Sequence, residues 1–316
     1  MISKKKVKEI IDFYDSNNLQ KTLETFNLTD ESFHRYERLF DKYYGKDKRL
    51  KNDSLRKIAE QYTDKELKAI ARGGRIIQGM AKTPIVTFEG EKIVFGILGD
   101  THLGSIYTDT SYIDLAFQEF KKEKCDFVVH VGDVCEGMSN RAGHVYELSH
   151  IGYEHQKEHA VDVLSRWVGK MYFISGNHDR WYIKSNGANI VKDIANELPN
   201  ADFLGHDLGN ISVNGSIIEL WHGEDGSSYA ISYRIQKIVE SMTGGTKPNI
   251  LICGHVHKMG YFFIRHIHCI GAGSLQKQTA WMRGKRLDAH TGFWIVEAWI
   301  NKGVSKIKTC WYPFYA

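Results

Sequence analysis

With 316 residues, 42% of them hydrophobic and 25% charged, the chain has the composition of a globular protein and the length for one substantial domain plus a small module. No apolar run approaches a bilayer span, and the opening Met1-Ile2-Ser3-Lys4 leads into an amphipathic pattern, so neither a membrane span nor an apolar export signal is expected. The five cysteines are scattered without a C-x-x-C spacing, which argues against a disulfide framework and a cysteine zinc site and fits a reducing cytoplasm.

Charge is unevenly distributed. Residues 1–82 carry 19 Lys and Arg against 13 Asp and Glu, whereas the remainder carries 23 against 25. Such asymmetry suits a basic module that meets a polyanion, and it equally describes solvated helical faces.

Over residues 5–43 the apolar spacing predicts three short helices, through Val7, Ile10, Ile11 and Tyr14, then Leu19, Leu23 and Phe26, then Phe33, Tyr36, Leu39 and Phe40. Thr29 is the expected N-cap of the third, ahead of Asp30 and Glu31, and the spacing is that of a helix-turn-helix. A charged linker over 45–53 and a helical period over 54–71 complete a helical module and linker assigned to 1–82. A catalytic domain is assigned to 83–316.

In that second part strands and helices alternate. Strands are expected at 93–98, 127–131 and 172–174 and helices at 110–124 and 153–169, a pattern that points to an α/β domain. Beyond residue 200, Asn214-Gly215 marks a hairpin between 211–213 and 216–221. A helix at 227–242, a buried strand at 250–253 and further strands at 261–270, 292–300 and 305–311 follow.

Five short motifs stand at the ends of predicted strands: Gly99-Asp100-Thr101-His102, Gly132-Asp133, Gly176-Asn177-His178-Asp179, Trp221-His222-Gly223 and Gly254-His255-Val256-His257. In open α/β sheets, ligands collect at the carboxyl ends of strands, and a glycine there lets the chain turn so that the next polar side chain points outward. Carboxylate, amide oxygen and imidazole without thiolate suit Mn²⁺, Fe or Zn²⁺, and several such ligands can hold two cations about 3.5–4 Å apart. Singly, each motif reads more readily as a cap or turn; five in order make coincidence a poor explanation.

This order resembles the calcineurin-like metallophosphoesterases, whose signature runs Asp-x-His, Gly-Asp, Gly-Asn-His-Asp/Glu, a lone His, then Gly-His-x-His. The resemblance covers residues 93–260 and implies a four-layer αββα sandwich with a dinuclear site along one edge, the cations being Mn²⁺ first, with Fe, Zn²⁺ or Ni²⁺ as alternatives. It implies that Asp100, His102 and His257 bind one metal, that Asn177, His222 and His255 bind the other, and that Asp133 bridges them. His178 would be the general acid, and Asp179 would orient it. Gly132-Asp133 continues as Val134-Cys135-Glu136 and lacks the Asp-Arg-Gly run of the protein-phosphatase branch, which leans toward phosphodiesterases and nucleases.

For the substrate, Arg141 and Arg180 lie near the motifs and are candidates to grip a phosphate, and Arg35 and Arg38 lie on the exposed side of the third helix as candidate DNA contacts. The leading expectation is a phosphodiesterase or nuclease acting on DNA. A hydrolase of small or cyclic nucleotides is the alternative, and a non-catalytic DNA- or protein-binding protein a minor one. A helix-turn-helix ahead of such a domain also resembles metallophosphoesterases of phages and prophages, which would place the protein in a host cytoplasm.

Overall fold

Strand β2 (Lys92–Leu98) is apolar on both faces, and burial of both faces requires a layer on each side. Ile93, Phe95 and Ile97 point into one core, while Val94 and Leu98 point into another. The computed structural model describes residues 3–17, 19–44, 85–86, 90–223, 230–243, 247–301 and 303–315. By its internal contacts the chain divides into two units, Met1–Gly79 and Met80–Ala316. The linker at 45–53, the helix at 54–71 and the boundary between 82 and 83 lie outside the described residues.

In the first unit, α1 (Lys4–Ser16), α2 (Leu19–Phe26) and α3 (Asp30–Tyr44) enclose Val7, Ile10, Ile11, Phe33 and Phe40. Thr29 begins α3 in a reciprocal cap. Its hydroxyl accepts from the Ser32 N–H at 3.2 Å, and the Ser32 hydroxyl accepts from the Thr29 N–H at 2.9 Å. Arg35 and Arg38 stand on the exposed side of α3.

In the second unit, the remaining elements are β1 (Ile85–Val86), α4 (Thr110–Lys122), β3 (Phe127–His130), α5 (Tyr153–Leu164), β4 (Lys170–Ser175), α6 (Arg180–Asn186), α7 (Ile190–Glu197), β5 (Ala201–His206), β6 (Leu208–Val213), β7 (Ser216–Trp221), α8 (Tyr233–Ser241), β8 (Ile250–Cys253), β9 (Met259–Ile264), β10 (Ile267–Ala272), α9 (Ala280–Gly284), β11 (Gly292–Ile300) and β12 (Val304–Pro313). One sheet runs β12-β11-β2-β3-β4-β5 and the other β1-β6-β7-β8-β10-β9. Between them lies a core drawn from both, including Phe95, Val129, Ile218, Ile252 and Val296. Helices α4, α5 and α7 cover the outer face of the first sheet, and α8 covers the second through Ile235 and Val239. The result is the expected αββα layering.

Three of the expected elements differ in the structure, and β1, α6, α7, β5 and α9 had no counterpart among the expected ones. The single strand expected at 261–270 is the antiparallel hairpin β9–β10, turned at Arg265 and His266, which adopt φ of 48° and 65° without a glycine to signal it. Helix α5 stops at Leu164 because Trp167 turns back to pack on Phe117 and Phe120 of α4. Helix α8 begins at Tyr233, later than the expected Ser227, and 224–229 lie outside the described residues.

A side chain at Gly96 would collide with this packing, since a Cβ there would lie 2.6 Å from the fully buried ring of Phe120. Gly96→Ala is expected to lower stability by about 1–3 kcal/mol in urea unfolding. Gly284→Ala, where a Cβ meets open space, should leave the midpoint nearly unchanged, and equal midpoints for the two variants would contradict this packing.

Candidate metal centre

Strands β2, β3 and β4 run parallel, as do β7 and β8, so their carboxyl ends open on one edge of the sandwich. There the chain turns abruptly. Asp100 (φ 49°), His102 (46°), Asp133 (50°), His255 (74°) and His257 (52°) all adopt the left-handed conformation, which costs non-glycine residues about 1–3 kcal/mol each and persists where the surroundings hold it. The hold comes from loop-to-loop hydrogen bonds: the Asp100 N–H donates to Gly132 O at 3.2 Å and the His102 N–H to Asp133 O at 3.0 Å. Gly176 must be glycine for the loops to close, because a Cβ there would sit 2.2 Å from Asp133 Oδ1.

These turns aim the polar side chains at one another. His102 Nε2 lies 3.1 Å from His257 Nε2, and His257 Nε2 lies 3.4 Å from Asp100 Oδ1. Asp133 Oδ2 lies 3.2 Å from His222 Nε2 and 3.8 Å from His102 Nε2, between the two groups. Asn177 Oδ1 approaches His222 Nε2 at 3.1 Å and His255 Nδ1 at 2.8 Å. Three mutually close sets emerge, namely Asp100, His102 and His257; His102, Asp133 and His178; and Asp133, His222 and His255.

Electrostatics explains why such crowding needs a counterpart. Burial disfavours charge on His102, yet Glu136, with Asp133 and Asp100 behind it, pushes its pKa up to about 9. Burial likewise opposes charge on His222, but Asp133 and Asp100 push it up to about 10. Burial, helped by charge on His222, pulls His255 down to about 4. Burial alone would raise Asp133, and the histidines around it hold it well below the usual carboxylate range instead.

The donor set fits divalent ions. Neighbouring ligands of an ion that binds N and O at about 2.1 Å stand about 3 Å apart when at right angles, which is the spacing seen here. The His222 Nδ1–H donates to Val131 O at 2.7 Å, which fixes the tautomer and leaves Nε2 free to ligate. Asp133 Oδ1 accepts the His178 N–H at 2.8 Å.

Glu136 is the residue that motif reading passed over. This buried carboxylate lies 3.0 Å from His102 Nδ1, accepts from His144 Nε2 at 2.9 Å, and accepts from Gln276 Nε2 at 2.7 Å. It fixes the ring of His102 from behind, as a carboxylate commonly does for a ligating histidine. Its signal was its position three residues after Asp133, with no glycine to mark it. Asp179 is also buried and accepts from the N–H groups of Val134, Cys135 and Gly176 at 3.2, 2.9 and 2.8 Å, tying two site loops together. Burial and the Asp133 charge raise its pKa to about 7 against those three donors.

The cluster opens into a cleft of about 570 Å³, lined on the metal side by His102, Asp133, Asn177, His178, His255 and His257. Arg141 lines it too and pairs with Glu147 at 2.5 Å. Arg180 is not among the lining residues and pairs with Asp207. Arg234 does line it, although the sequence pass did not single it out. Arg35 and Arg38 belong to the first unit, apart from this cluster in the chain's division.

A model of the calcineurin-like phosphoesterase superfamily domain matches residues 93–286. Solved structures similar to the chain include an archaeal phosphodiesterase, with 15% identity over 70% of this chain and 100% of its own and a TM-score of 0.42. Vps29 of Entamoeba histolytica, complexed with Zn²⁺, has 15% identity over 71% and 100% and a TM-score of 0.38. A predicted phosphoesterase of Streptococcus pneumoniae has 14% identity over 70% and 98% and a TM-score of 0.35. No curated protein matches the sequence.

If His102 and His222 bind a cation they must do so as neutral imidazoles, and because neighbouring carboxylates push their pKa values up to about 9 and 10, cation uptake would expel protons. Calorimetric titration of Mn²⁺ at pH 7 in buffers of different ionisation enthalpy should show net proton release. Affinity should drop by at least about tenfold between pH 7.5 and 5.5. Uptake without proton release, or unchanged in Asp133→Asn, would contradict the assignment.

Proposed function

The chain belongs to the calcineurin-like phosphoesterase superfamily, and from that premise we propose that it is a nuclease-type phosphodiesterase acting on DNA. The superfamily works with divalent cations, and the chain is a hydrolase of phosphate-ester bonds. The observation that carries the reading is the convergence of imidazole, carboxylate and amide donors from five loops at the mouth of one cleft. Asp100, His102 and His257 would hold one cation, Asn177, His222 and His255 would hold a second, and Asp133 would serve both. Two such cations, when bound, supply an activated water and offset the charge that gathers on the phosphoryl oxygens. We assign Mn²⁺, because the donors are nitrogen and oxygen.

The protein's own groups do the rest. His178 donates its Nδ1–H to Glu136 O at 2.8 Å, which turns Nε2 to the cleft to protonate the leaving oxygen. The ring of Trp181 packs on it with centroids 4.0 Å apart and restricts its motion. Asp179 positions the loops of Asp133 and His178 through its three backbone contacts. Arg141 binds substrate phosphate at the cleft. Arg180, which donates to Gly176 O as well as pairing with Asp207, holds its loop.

The basic balance of residues 1–82 and the exposed Arg35 and Arg38 on α3 support a DNA-binding role for a helix-turn-helix module over 1–82, ahead of a catalytic domain over 83–316. A phage or prophage protein working in a host cytoplasm is consistent with that arrangement. Among the described residues no helix is long and apolar enough to cross a membrane. The nucleotide-sized cleft favours a second reading, a hydrolase of small or cyclic nucleotides.

Hydrolysis by the Mn²⁺-loaded protein of DNA, cyclic nucleotides and chromogenic esters separates these readings, with DNA expected to give the highest kcat/KM. His178→Ala should lower kcat on DNA by roughly 10²–10⁴-fold, and far less on a p-nitrophenyl diester whose leaving group needs no proton. Equal losses on both would remove His178 from the acid role.

A further inference from the structure

Part of the cleft lining has a different chemistry from the candidate metal ligands. Ile231, Val256, Met282 and Leu287 give it an apolar surface, on which the indole of Trp281 stands 47% exposed. The backbone that carries Trp281 is fixed: Thr279 caps α9 by accepting the Met282 N–H at 3.1 Å, Met282 is buried, and the Gln278 amide donates to Leu287 O at 2.6 Å, closing the 278–287 loop. A half-exposed indole lining such a cleft offers a flat ligand a surface to stack on.

Trp181 does not supply the same face, because its ring packs against those of His178 and His144. Arg234 also lines the cleft, is 5% exposed and lies over the ring of Trp221, the residue immediately before His222 in the chain, at 5.7 Å, which offers a phosphate a second guanidinium besides that of Arg141. A guanidinium held by an aromatic face keeps its fork aimed, as phosphate recognition requires.

A duplex encloses its base faces in its own stack and offers phosphates and groove edges to a protein. It has nothing to set against an indole in an apolar wall, whereas an unpaired nucleotide has both a base face and an adjacent phosphate. We propose that the cleft takes an unpaired nucleotide, its base stacked on Trp281 and its phosphate gripped by Arg234, so that single-stranded or frayed ends are the substrate class. This rests on the phosphodiesterase reading of the same site. The shared chemistry, an unpaired base next to a phosphodiester, occurs both in a single strand and in a free nucleotide.

The test uses the full chain loaded with Mn²⁺ and two chromogenic diesters, thymidine 5′-p-nitrophenyl phosphate and methyl p-nitrophenyl phosphate, which differ in carrying a base. Trp281→Ala should raise KM for the thymidine ester by roughly tenfold or more and leave the methyl ester unchanged, while Trp281→Phe restores most of the difference. Arg234→Met should weaken both esters. In parallel, anisotropy of a labelled single strand, a matched blunt duplex and a labelled mononucleotide is measured with EDTA present so that nothing is cleaved. Single-strand binding should weaken roughly tenfold in Trp281→Ala while duplex binding, which the helical module can supply, stays unchanged, and comparable loss for the mononucleotide would identify the free nucleotide as sufficient. Equal KM effects on both esters, or single-strand binding indifferent to Trp281, would overturn the proposal. Wild-type protein inert on every diester would remove the phosphodiesterase reading, and the anisotropy result would still decide whether Trp281 stacks a base.

Discussion

Everything at the active edge depends on a balance of buried charge around Asp133. Its carboxylate is buried, 3.2 Å from one imidazole and 3.8 Å from another, with a backbone N–H on its other oxygen. An uncompensated carboxylate at such depth would be costly, and imidazoles packed within 3–4 Å of one another repel when all are charged. Neighbouring cations resolve both problems together. The five left-handed turns are the backbone counterpart of the same constraint, since strain of that kind survives where bound partners and close packing over-determine it.

The sandwich behind the edge is what allows the loops to be strained. Strands buried on both faces, with Phe95, Phe127 and Phe173 fully enclosed, fix where each loop departs. Glu136, Asp179 and Gln276 then join loops that are remote in sequence through short polar contacts. The strands fix the loops, and a polar network as deeply buried as Asp100, Asp133 and His222 joins them.

Much of this was legible in the residues. Glycine followed by a polar residue at the end of an apolar run marks most of the motif-bearing strands, and the order of the motifs, through its family resemblance, pointed to the gathering of Asp100, His102, Asp133, Asn177, His222, His255 and His257. Asn214-Gly215 announced its hairpin, with φ of 46° and 81°, through ordinary turn chemistry. The β9–β10 turn was invisible because Arg265 and His266 adopt positive φ without the Asn-Gly or Asp-Gly pair that signals a tight hairpin. Glu136 and Arg234 were missed for another reason. Their roles depend on which side chains lie across a loop or a sheet end, and no spacing within one segment encodes that. Arg180 stood beside a motif, yet proximity in sequence put it against Asp207 and outside the cleft lining.

The claim that carries the account is that residues from Asp100 to His257 surround a pair of cations. Anomalous diffraction from crystals soaked in Mn²⁺, collected on both sides of the manganese edge, addresses it directly. The account predicts two peaks roughly 3.5–4 Å apart, one against Asp100, His102 and His257 and the other against Asn177, His222 and His255, with Asp133 touching both. No peak at that edge, or manganese bound elsewhere while the imidazoles keep their mutual contacts, would contradict it.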